Sequence, residues 1–116
     1  MIIKIKNFKL KTIVGIYDWE QDFQREILIN AKIHTNSTKA KISNNISDTI
    51  DYDLIINKIK QFVINNKFQL IEKMASDILD LIMEDKRIKK CEIELDKIGV
   101  VSGVESFSVT ISKSRK

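Results

Sequence analysis

The sequence has no proline, three glycines, one cysteine and one histidine. One cysteine cannot form an internal disulfide, and one cysteine with one histidine cannot supply a zinc site that needs several such ligands. Cys91 falls on the apolar side of an alternating segment, so we interpret it as a small buried hydrophobic residue rather than a nucleophile. His34 falls on the polar side of its segment, which predicts a surface position. No metal site is therefore expected.

The sequence also lacks long apolar runs and a leader-like start. No run approaches the roughly 18 residues that a membrane span requires. Met1 leads into the segment IIKIK, which has charges where a signal peptide has its apolar region. At 116 residues, the chain is expected to form one domain spanning residues 1–116. We predict a cytoplasmic protein with no membrane partner.

The net charge is +4 and the pI is about 9.2, which raises the possibility of a nucleic-acid partner. The 17 lysines and 3 arginines are scattered along the sequence rather than gathered in one stripe. A basic nucleic-acid-binding α+β domain remains an alternative. Against it, the element order is not β-α-β-β-α-β, and no segment carries paired aromatics on which bases would stack. The expectation is no nucleic-acid partner.

Two-residue alternation of apolar side chains predicts four strands. The clearest predicted strand runs from residue 24 to 35, and two more begin at residues 91 and 106. Residues 2–14 are also strand-like, but their apolar phase slips after Ile5, which predicts a β-bulge near Asn7.

Helical spacing of apolar residues predicts two helices between the second and third strands. Asp51 or Thr49 could cap the first helix, residues 65–67 break the pattern, and the second helix follows. The polar residues 36–47 are interpreted as a long connection. The order β-β-α-α-β-β predicts an α+β fold, a four-stranded antiparallel sheet with both helices on one face.

Alternation through Cys91, Ile93 and Leu95 places Lys97 on the core face at the end of a strand. One interpretation is that its stem packs while its ammonium reaches water. The functional interpretation is that partial removal from water favours the neutral amine, which could then exchange protons. Both remain open from the pattern alone.

Three other residues capable of acid–base or binding interactions lie near the ends of the predicted helices and strands. Glu72 lies in the first turn of the second helix, where a carboxylate can cap backbone N–H groups or accept paired N–H donors from a pterin or guanine ring. Tyr52 opens the first helix and could simply be an amphipathic aromatic at the rim of the core. Glu20 lies in a loop between two strands, where a charge is normally solvated.

Together, four segments resemble the dihydroneopterin aldolase family, including its close relatives the dihydroneopterin triphosphate 2'-epimerases. They are residues 15–20 (GIYDWE), 49–52 (TIDY), 70–72 (LIE) and 95–97 (LDK). The resemblance covers nearly the whole chain in the same order and spacing. It implies the T-fold, in which β-β-α-α-β-β units close into barrels as homo-oligomers, as tetramers or octamers, with sites shared between subunits.

The resemblance also implies an activity and a set of site residues. The activity is retro-aldol cleavage of dihydroneopterin to 6-hydroxymethyl-dihydropterin and glycolaldehyde in folate biosynthesis, or epimerisation of the triphosphate. It needs no cofactor, because the substrate is its own electron sink. Glu72 and the backbone near Ile71 would anchor the pterin, Lys97 and Tyr52 would handle protons, and Tyr52 and Glu20 would contact the side chain.

The sequence departs from the family pattern after the lysine. The aldolases usually have proline there, whereas this chain has Ile98. Proline fixes φ near −65°, so the loop that follows Lys97 is expected to be less constrained here. The segments 65–73 and 96–98 resemble the epimerases at least as much as the aldolases, and all four candidate residues are common to both.

Overall fold

The computed structural model of the chain describes residues 1–14, 25–36, 38–98 and 102–115. Its strands are β1 (Ile2–Thr12), β2 (Arg25–Thr35), β3 (Ile88–Ile98) and β4 (Ser106–Ser114). Its helices are α1 (Thr38–Ser43), α2 (Tyr52–Ile64) and α3 (Ile71–Met83), with a 3-10 turn at Ile46–Asp48 after α1. The predicted β-β-α-α-β-β order is confirmed for the two main helices and the four strands.

The four strands form one antiparallel sheet in the order β1-β2-β3-β4. Because side chains alternate across a sheet, every second residue faces the helices, and cross-strand pairing aligns these residues in rows. The buried side chains of β2 and β3 form the centre of the core. The helix-facing rows are Ile3–Ile33–Cys91–Lys113, Ile5–Ala31–Ile93–Ile111, Phe8–Ile29–Leu95–Val109 and Leu10–Ile27–Lys97–Phe107.

The predicted bulge in β1 is confirmed at Asn7. The pairing with β2 shifts register between Ile5 and Phe8, and Asn7 has a φ of 52°, in the left-handed region that asparagine tolerates better than most residues. Its backbone N–H donates to Oδ1 of Asn30 at 2.8 Å. The extra residue lets both halves of β1 turn apolar side chains towards the helices.

The two main helices bury the apolar faces that the spacing predicts. α2 buries Ile55, Ile59 and Val63, and α3 buries seven side chains between Ile71 and Met83. Of the two candidate caps for α2, Asp51 fills the position, because its carboxylate accepts from the Asp53 backbone N–H at 3.0 Å. Within the described part of the chain, no helix is long and apolar enough to cross a membrane.

The connection between β2 and α2 contains more structure than the sequence predicts. Residues predicted to form a long loop include α1 and the 3-10 turn, whose N-cap Asn45 accepts from the Ser47 backbone N–H. Neither element buries a residue. Since an element without a buried face leaves no apolar periodicity, the pattern contained no signal for α1.

Arg87 joins the turn after α3 to the segment before α2. Its guanidinium makes two hydrogen bonds to the Asp85 carboxylate, Nε–Oδ1 at 3.0 Å and Nη2–Oδ2 at 2.8 Å. Its Nη1 donates to the Thr49 carbonyl at 2.6 Å. One side chain therefore ties together two segments that are 38 residues apart in sequence.

Candidate functional site

Lys97 lies where the alternation predicts, on the helix-facing side of β3 two residues after the fully buried Leu95. Its cross-strand neighbours are the buried Ile27 on β2 and the half-exposed Phe107 on β4. Lys97 is itself partly buried. The sheet thus carries a lysine at the end of its apolar face, a position in which a lysine can pack its stem against apolar neighbours and turn its ammonium group towards water.

Glu72 lies in the first turn of α3 and is exposed, whereas the preceding Ile71 is buried. Leu70 occupies the N-cap position, and its apolar side chain makes no capping hydrogen bond. The first N–H groups of a helix have no partner within the helix, so this end of α3 has donors to offer. Among the described residues, no hydrogen bond or ion pair to Glu72 is formed, so its carboxylate does not act as a cap here.

A short parallel bridge fixes the start of α3 relative to the sheet. Val14, just beyond the end of β1, pairs with Phe68, whose backbone N–H donates to the Ile13 carbonyl at 3.2 Å. Val14 follows Leu10 along the chain, and Leu10 belongs to the same cross-strand row as Lys97. The bridge therefore brings the start of α3, with Glu72, to the end of the sheet that carries Lys97.

Tyr52 lies elsewhere. It is the first residue of α2, is 54% exposed, and lines an open cleft of about 490 Å³ against the first half of β1. Ile3, Phe8 and Ile56 form much of the apolar wall of that cleft. This is the opposite end of the sheet from Lys97. With about 3.3 Å per residue along a strand and 4.8 Å between strands, Ile5 beside Tyr52 and Lys97 are separated by roughly 15 Å.

Glu20 and the segment 15–20 lie outside the described residues. Of the sequence-predicted site residues, the structure therefore gathers Ile71, Glu72 and Lys97 at one end of the sheet and places Tyr52 at the other. In a single chain, these residues do not form one site.

Comparison with known proteins agrees with the resemblance. The family model described as dihydroneopterin aldolase matches residues 3–112. The chain belongs to the dihydroneopterin aldolase family. Its fold matches the crystal structure of the Escherichia coli dihydroneopterin aldolase in complex with neopterin, with a TM-score of 0.94 at 24% identity over 98% of this chain and 99% of that one.

Within that family, the chain is similar both to dihydroneopterin triphosphate 2'-epimerases and to dihydroneopterin aldolases. It is 38% identical over 114 residues to the Escherichia coli K12 dihydroneopterin triphosphate 2'-epimerase, covering 98% of this chain and 95% of that protein. It is 25% identical over 112 residues to the Escherichia coli K12 dihydroneopterin aldolase, covering 97% and 92%. This chain is accordingly an enzyme of that family.

Cys91 takes no part in the candidate site. It is fully buried in β3, and burial, with a smaller contribution from Glu92, raises the pKa of its thiol to about 12. The interpretation of Cys91 as a buried hydrophobic residue is confirmed. His34 lies on the opposite face of the sheet from the core and is partly exposed.

The structure also shows charged residues whose position the sequence did not reveal. Lys4 and Lys6 of β1 line the same cleft as Tyr52. The sequence shows Lys4, Lys6, Lys9 and Lys11 alternating with apolar residues, although we interpreted the lysines as scattered surface charge. Four of them in fact lie on one strand, and only the position of Tyr52 shows that two are next to a candidate site residue.

Proposed function

We propose that this enzyme catalyses retro-aldol cleavage of the side chain of 7,8-dihydroneopterin, giving 6-hydroxymethyl-7,8-dihydropterin and glycolaldehyde. The observation that carries the proposal is the position of Lys97. Lys97 lies partly buried on the helix-facing side of β3, at the end of the sheet where α3 and Glu72 begin. A partly desolvated amine beside a ring-binding carboxylate is suited to general acid–base catalysis on a pterin.

Glu72 anchors the ring in this proposal. A pterin presents adjacent N–H donors, and a carboxylate can accept two such hydrogen bonds in parallel. The backbone at Ile71, in the first turn of α3, supplies further polar partners, since the helix leaves its first N–H groups unpaired.

The chemistry then requires proton transfers alone. A base removes the proton from the hydroxyl on the second side-chain carbon, and the bond between the first and second carbons breaks to release glycolaldehyde. The bonding electron pair moves into the ring as N5 gains a proton, which leaves an enol. Delivery of a proton to the first side-chain carbon and loss of the proton from N5 give the hydroxymethyl product. We assign these transfers to Lys97, through a bound water, with Tyr52 assisting at the enol.

We propose further that the site is shared between subunits of a homo-oligomer, a tetramer or an octamer. β1 and β4 are the edges of the sheet, and their outer backbone groups can pair with a second copy. Because Tyr52 adjoins β1 and Lys97 adjoins β4, such pairing would bring Tyr52 of one copy towards Lys97 of the next. Glu20 would contact the substrate side chain in the same assembly.

The single thiol, Cys91, is free and buried, which is compatible with the reducing cytoplasm, where we place the enzyme.

A second candidate is epimerisation of dihydroneopterin triphosphate. The identity of 38% to an epimerase against 25% to an aldolase favours it. The same cleavage step serves both reactions: if the aldehyde turns over in the site and adds back, the carbon that carries the hydroxyl is inverted. The two candidates differ in the fate of the aldehyde and in the side chain that is accepted.

A chromatographic product assay tests the proposal, with dihydroneopterin and its triphosphate offered separately. Hydroxymethyl-dihydropterin and glycolaldehyde from the first would establish the aldolase, and inversion of the triphosphate without cleavage would establish the epimerase. Lys97→Ala should lower kcat by at least roughly 100-fold while the oligomer size is unchanged. Lys90→Ala, which removes an exposed lysine near the other end of β3, is the matched control. Full activity of Lys97→Ala would contradict the assignment.

A further inference from the structure

We propose that a second copy of this chain docks its β1 edge against the β4 edge, and that opposite charges on the sheet face away from the helices select this pairing. The inference rests on the homo-oligomer of the proposed function and deepens it, because it states which edges meet and which side chains choose them. The partner is the same chain, recognised by its charge.

The edge strand β1 carries a column of lysines on the face away from the helices. Side chains alternate along a strand, so the residues next to the helix-facing ones belong to this column. The column consists of four exposed residues, Lys4, Lys6, Lys9 and Lys11. Lys11 has Glu26 opposite it in the β1–β2 ladder. The residues opposite Lys4 and Lys9 are a lysine and a leucine, and Lys6 lies at the bulge, so three of the four have no acidic residue opposite them.

The inner strand β3 carries the complementary charge on the same face. Beyond Lys90, three consecutive residues of β3 on this face are acidic and partly buried: Glu92, Glu94 and Asp96. Glu92 contacts Lys32, with Nζ and Oε2 3.8 Å apart. The residues opposite Glu94 and Asp96 in both ladders are uncharged. Among the described residues, neither of them forms an ion pair, nor does any lysine of the β1 column.

Small hydroxyl residues separate the acidic column from the β4 edge. On this face β4 has serine or threonine at every position: Ser106, Ser108, Thr110, Ser112 and Ser114. Strands lie about 4.8 Å apart, so a β1 strand paired with β4 would lie about 10 Å from β3. The four-carbon stem of a lysine and the side chain of a glutamate can together span that distance, and serine leaves room for the stem above it.

The strand β2 separates the same two columns within one chain. Its residues on this face include Leu28, Asn30 and Lys32, which are larger than the serines of β4. No ion pair forms across them between the described residues of β1 and β3. The lysine column of one copy is therefore better placed to reach the acidic column of the next copy than that of its own chain.

Strand direction and charge favour β1–β4 pairing over the alternatives. The four strands alternate in direction, so β1 of a second copy in the same orientation pairs antiparallel with β4 and continues the sheet. Two β1 edges would place lysine against lysine, which repels, and two β4 edges would leave both lysine columns unmatched. A head-to-tail contact repeats from copy to copy and generates a ring when the rotation closes.

Charge reversal tests this pairing. Lys4→Glu/Lys9→Glu reverses the β1 column, and Glu94→Lys/Asp96→Lys reverses the β3 column. Each variant alone should raise the concentration at which half the subunits are assembled by at least roughly 100-fold, because like charges then meet across the contact. An equimolar mixture of the two should assemble at close to the wild-type concentration, because each β1 then meets a β3 of opposite charge. Sedimentation velocity measures the assembly.

Lys60→Glu/Lys86→Glu is the matched control for the β1 variant. It makes the same change in net charge at exposed lysines of α2 and of the turn after α3, and it should assemble like the wild type. Wild-type assembly of either strand variant alone would overturn the inference, as would an equal loss in the control. So would a mixture that does not assemble although each variant keeps its native circular dichroism.

The wild-type protein provides a second measurement, which needs no variant to fold. Because salt screens charges, raising NaCl from about 0.1 M to about 1 M should shift the midpoint of assembly to a concentration at least roughly 10-fold higher. A constant midpoint, or a wild type that stays monomeric, would overturn the inference and leave the product assay to decide the activity. Charge-dependent assembly without turnover of either pterin would support the inference and refute the proposed activity alone.

Discussion

Tyr52 and Lys97 lie at opposite ends of the same sheet, Tyr52 beside the first half of the edge strand β1 and Lys97 near the end of β3. Glu72 shares the Lys97 end through the bridge between Val14 and Phe68. If all three serve one substrate molecule, one chain must contribute Tyr52 and another Glu72 and Lys97. Activity then depends on how subunits are combined.

Mixed oligomers provide a direct test of this division. Tyr52→Ala and Lys97→Ala should each be inactive alone, but hybrids formed from both should recover activity. In a random 1:1 mixture each site receives an intact Tyr52 from one copy and an intact Lys97 from the next with a chance of one half each, so about a quarter of wild-type activity is expected. The measurement is turnover after co-expression of the two variants.

A matched pair of variants provides the control for the hybrid experiment. Glu72→Ala and Lys97→Ala affect residues from the same end of one chain, so no hybrid of these two restores a complete site. Recovery in this control, or its absence with the Tyr52 variant, would mean that the assignment of residues to subunits is wrong.

The bulge in β1 predicts a specific order of stabilities. Because Asn7 has a φ of 52°, Asn7→Gly should change the free energy of unfolding by a few tenths of a kcal/mol at most, whereas Asn7→Val should cost about 2 kcal/mol. Asn30→Ala removes the side-chain acceptor for the Asn7 N–H and should cost about 1 kcal/mol. Urea unfolding measures all three, and equal midpoints for Asn7→Val and the wild type would contradict this account.

Cys91 should be unreactive in the folded protein. With the pKa of its thiol raised to about 12, only about one molecule in ten thousand carries the thiolate at pH 8, and burial blocks access as well. A chromogenic disulfide reagent at pH 8 should therefore label Cys91 slowly in buffer and rapidly in denaturing urea. Fast labelling of the folded chain would show that the strand opens readily or that the thiol is exposed.

The Asp85–Arg87 pair should make stability depend on pH in the acid range. Hydrogen bonds from Arg87 hold the pKa of Asp85 below its ordinary value of 3.8. A depressed carboxyl pKa adds stability that is fully present above the ordinary pKa and is lost as pH falls through the folded-state value. Because the pair is partly exposed and screened by water, Asp85→Asn should cost about 1 kcal/mol or less at pH 7, and the difference from the wild type should shrink as the pH falls below 3.8.

Asp80→Asn is the control for this acid-range effect. It removes an exposed ion pair with Lys113, in which Nζ and Oδ1 are 3.1 Å apart, and should cost about 0.5 kcal/mol or less at neutral pH. Equal losses for the two aspartates at pH 7 would show that the contact from Arg87 to the Thr49 carbonyl does not depend on Asp85.

The helices and strands that bury an apolar face could be predicted from the sequence. The distances between residues on different helices and strands could not. The phase slip after Ile5 predicted the bulge, and alternation predicted the face of Lys97, because both depend only on a two-residue period. The helix α1 left no pattern because it buries nothing.

The layout of the site required the register of the sheet. No periodicity indicates that Ile5, beside Tyr52, and Lys97 are roughly 15 Å apart, because their separation depends on which residues of β1, β2 and β3 are paired. The resemblance to a known family supplied the candidate residues, and the sheet showed which of them one chain can bring together.

The bulge at Asn7 also bears on how copies of the chain can associate. An unbroken edge strand with regular alternation could slide by two residues along a partner and still present the same faces, which favours misaligned pairing and aggregation. The bulge at Asn7 breaks this regular repeat, because a partner strand shifted by two residues would no longer pair correctly with β1 at the bulge. A single asparagine thus gives the edge of the sheet a unique alignment, and protects it against indiscriminate self-association.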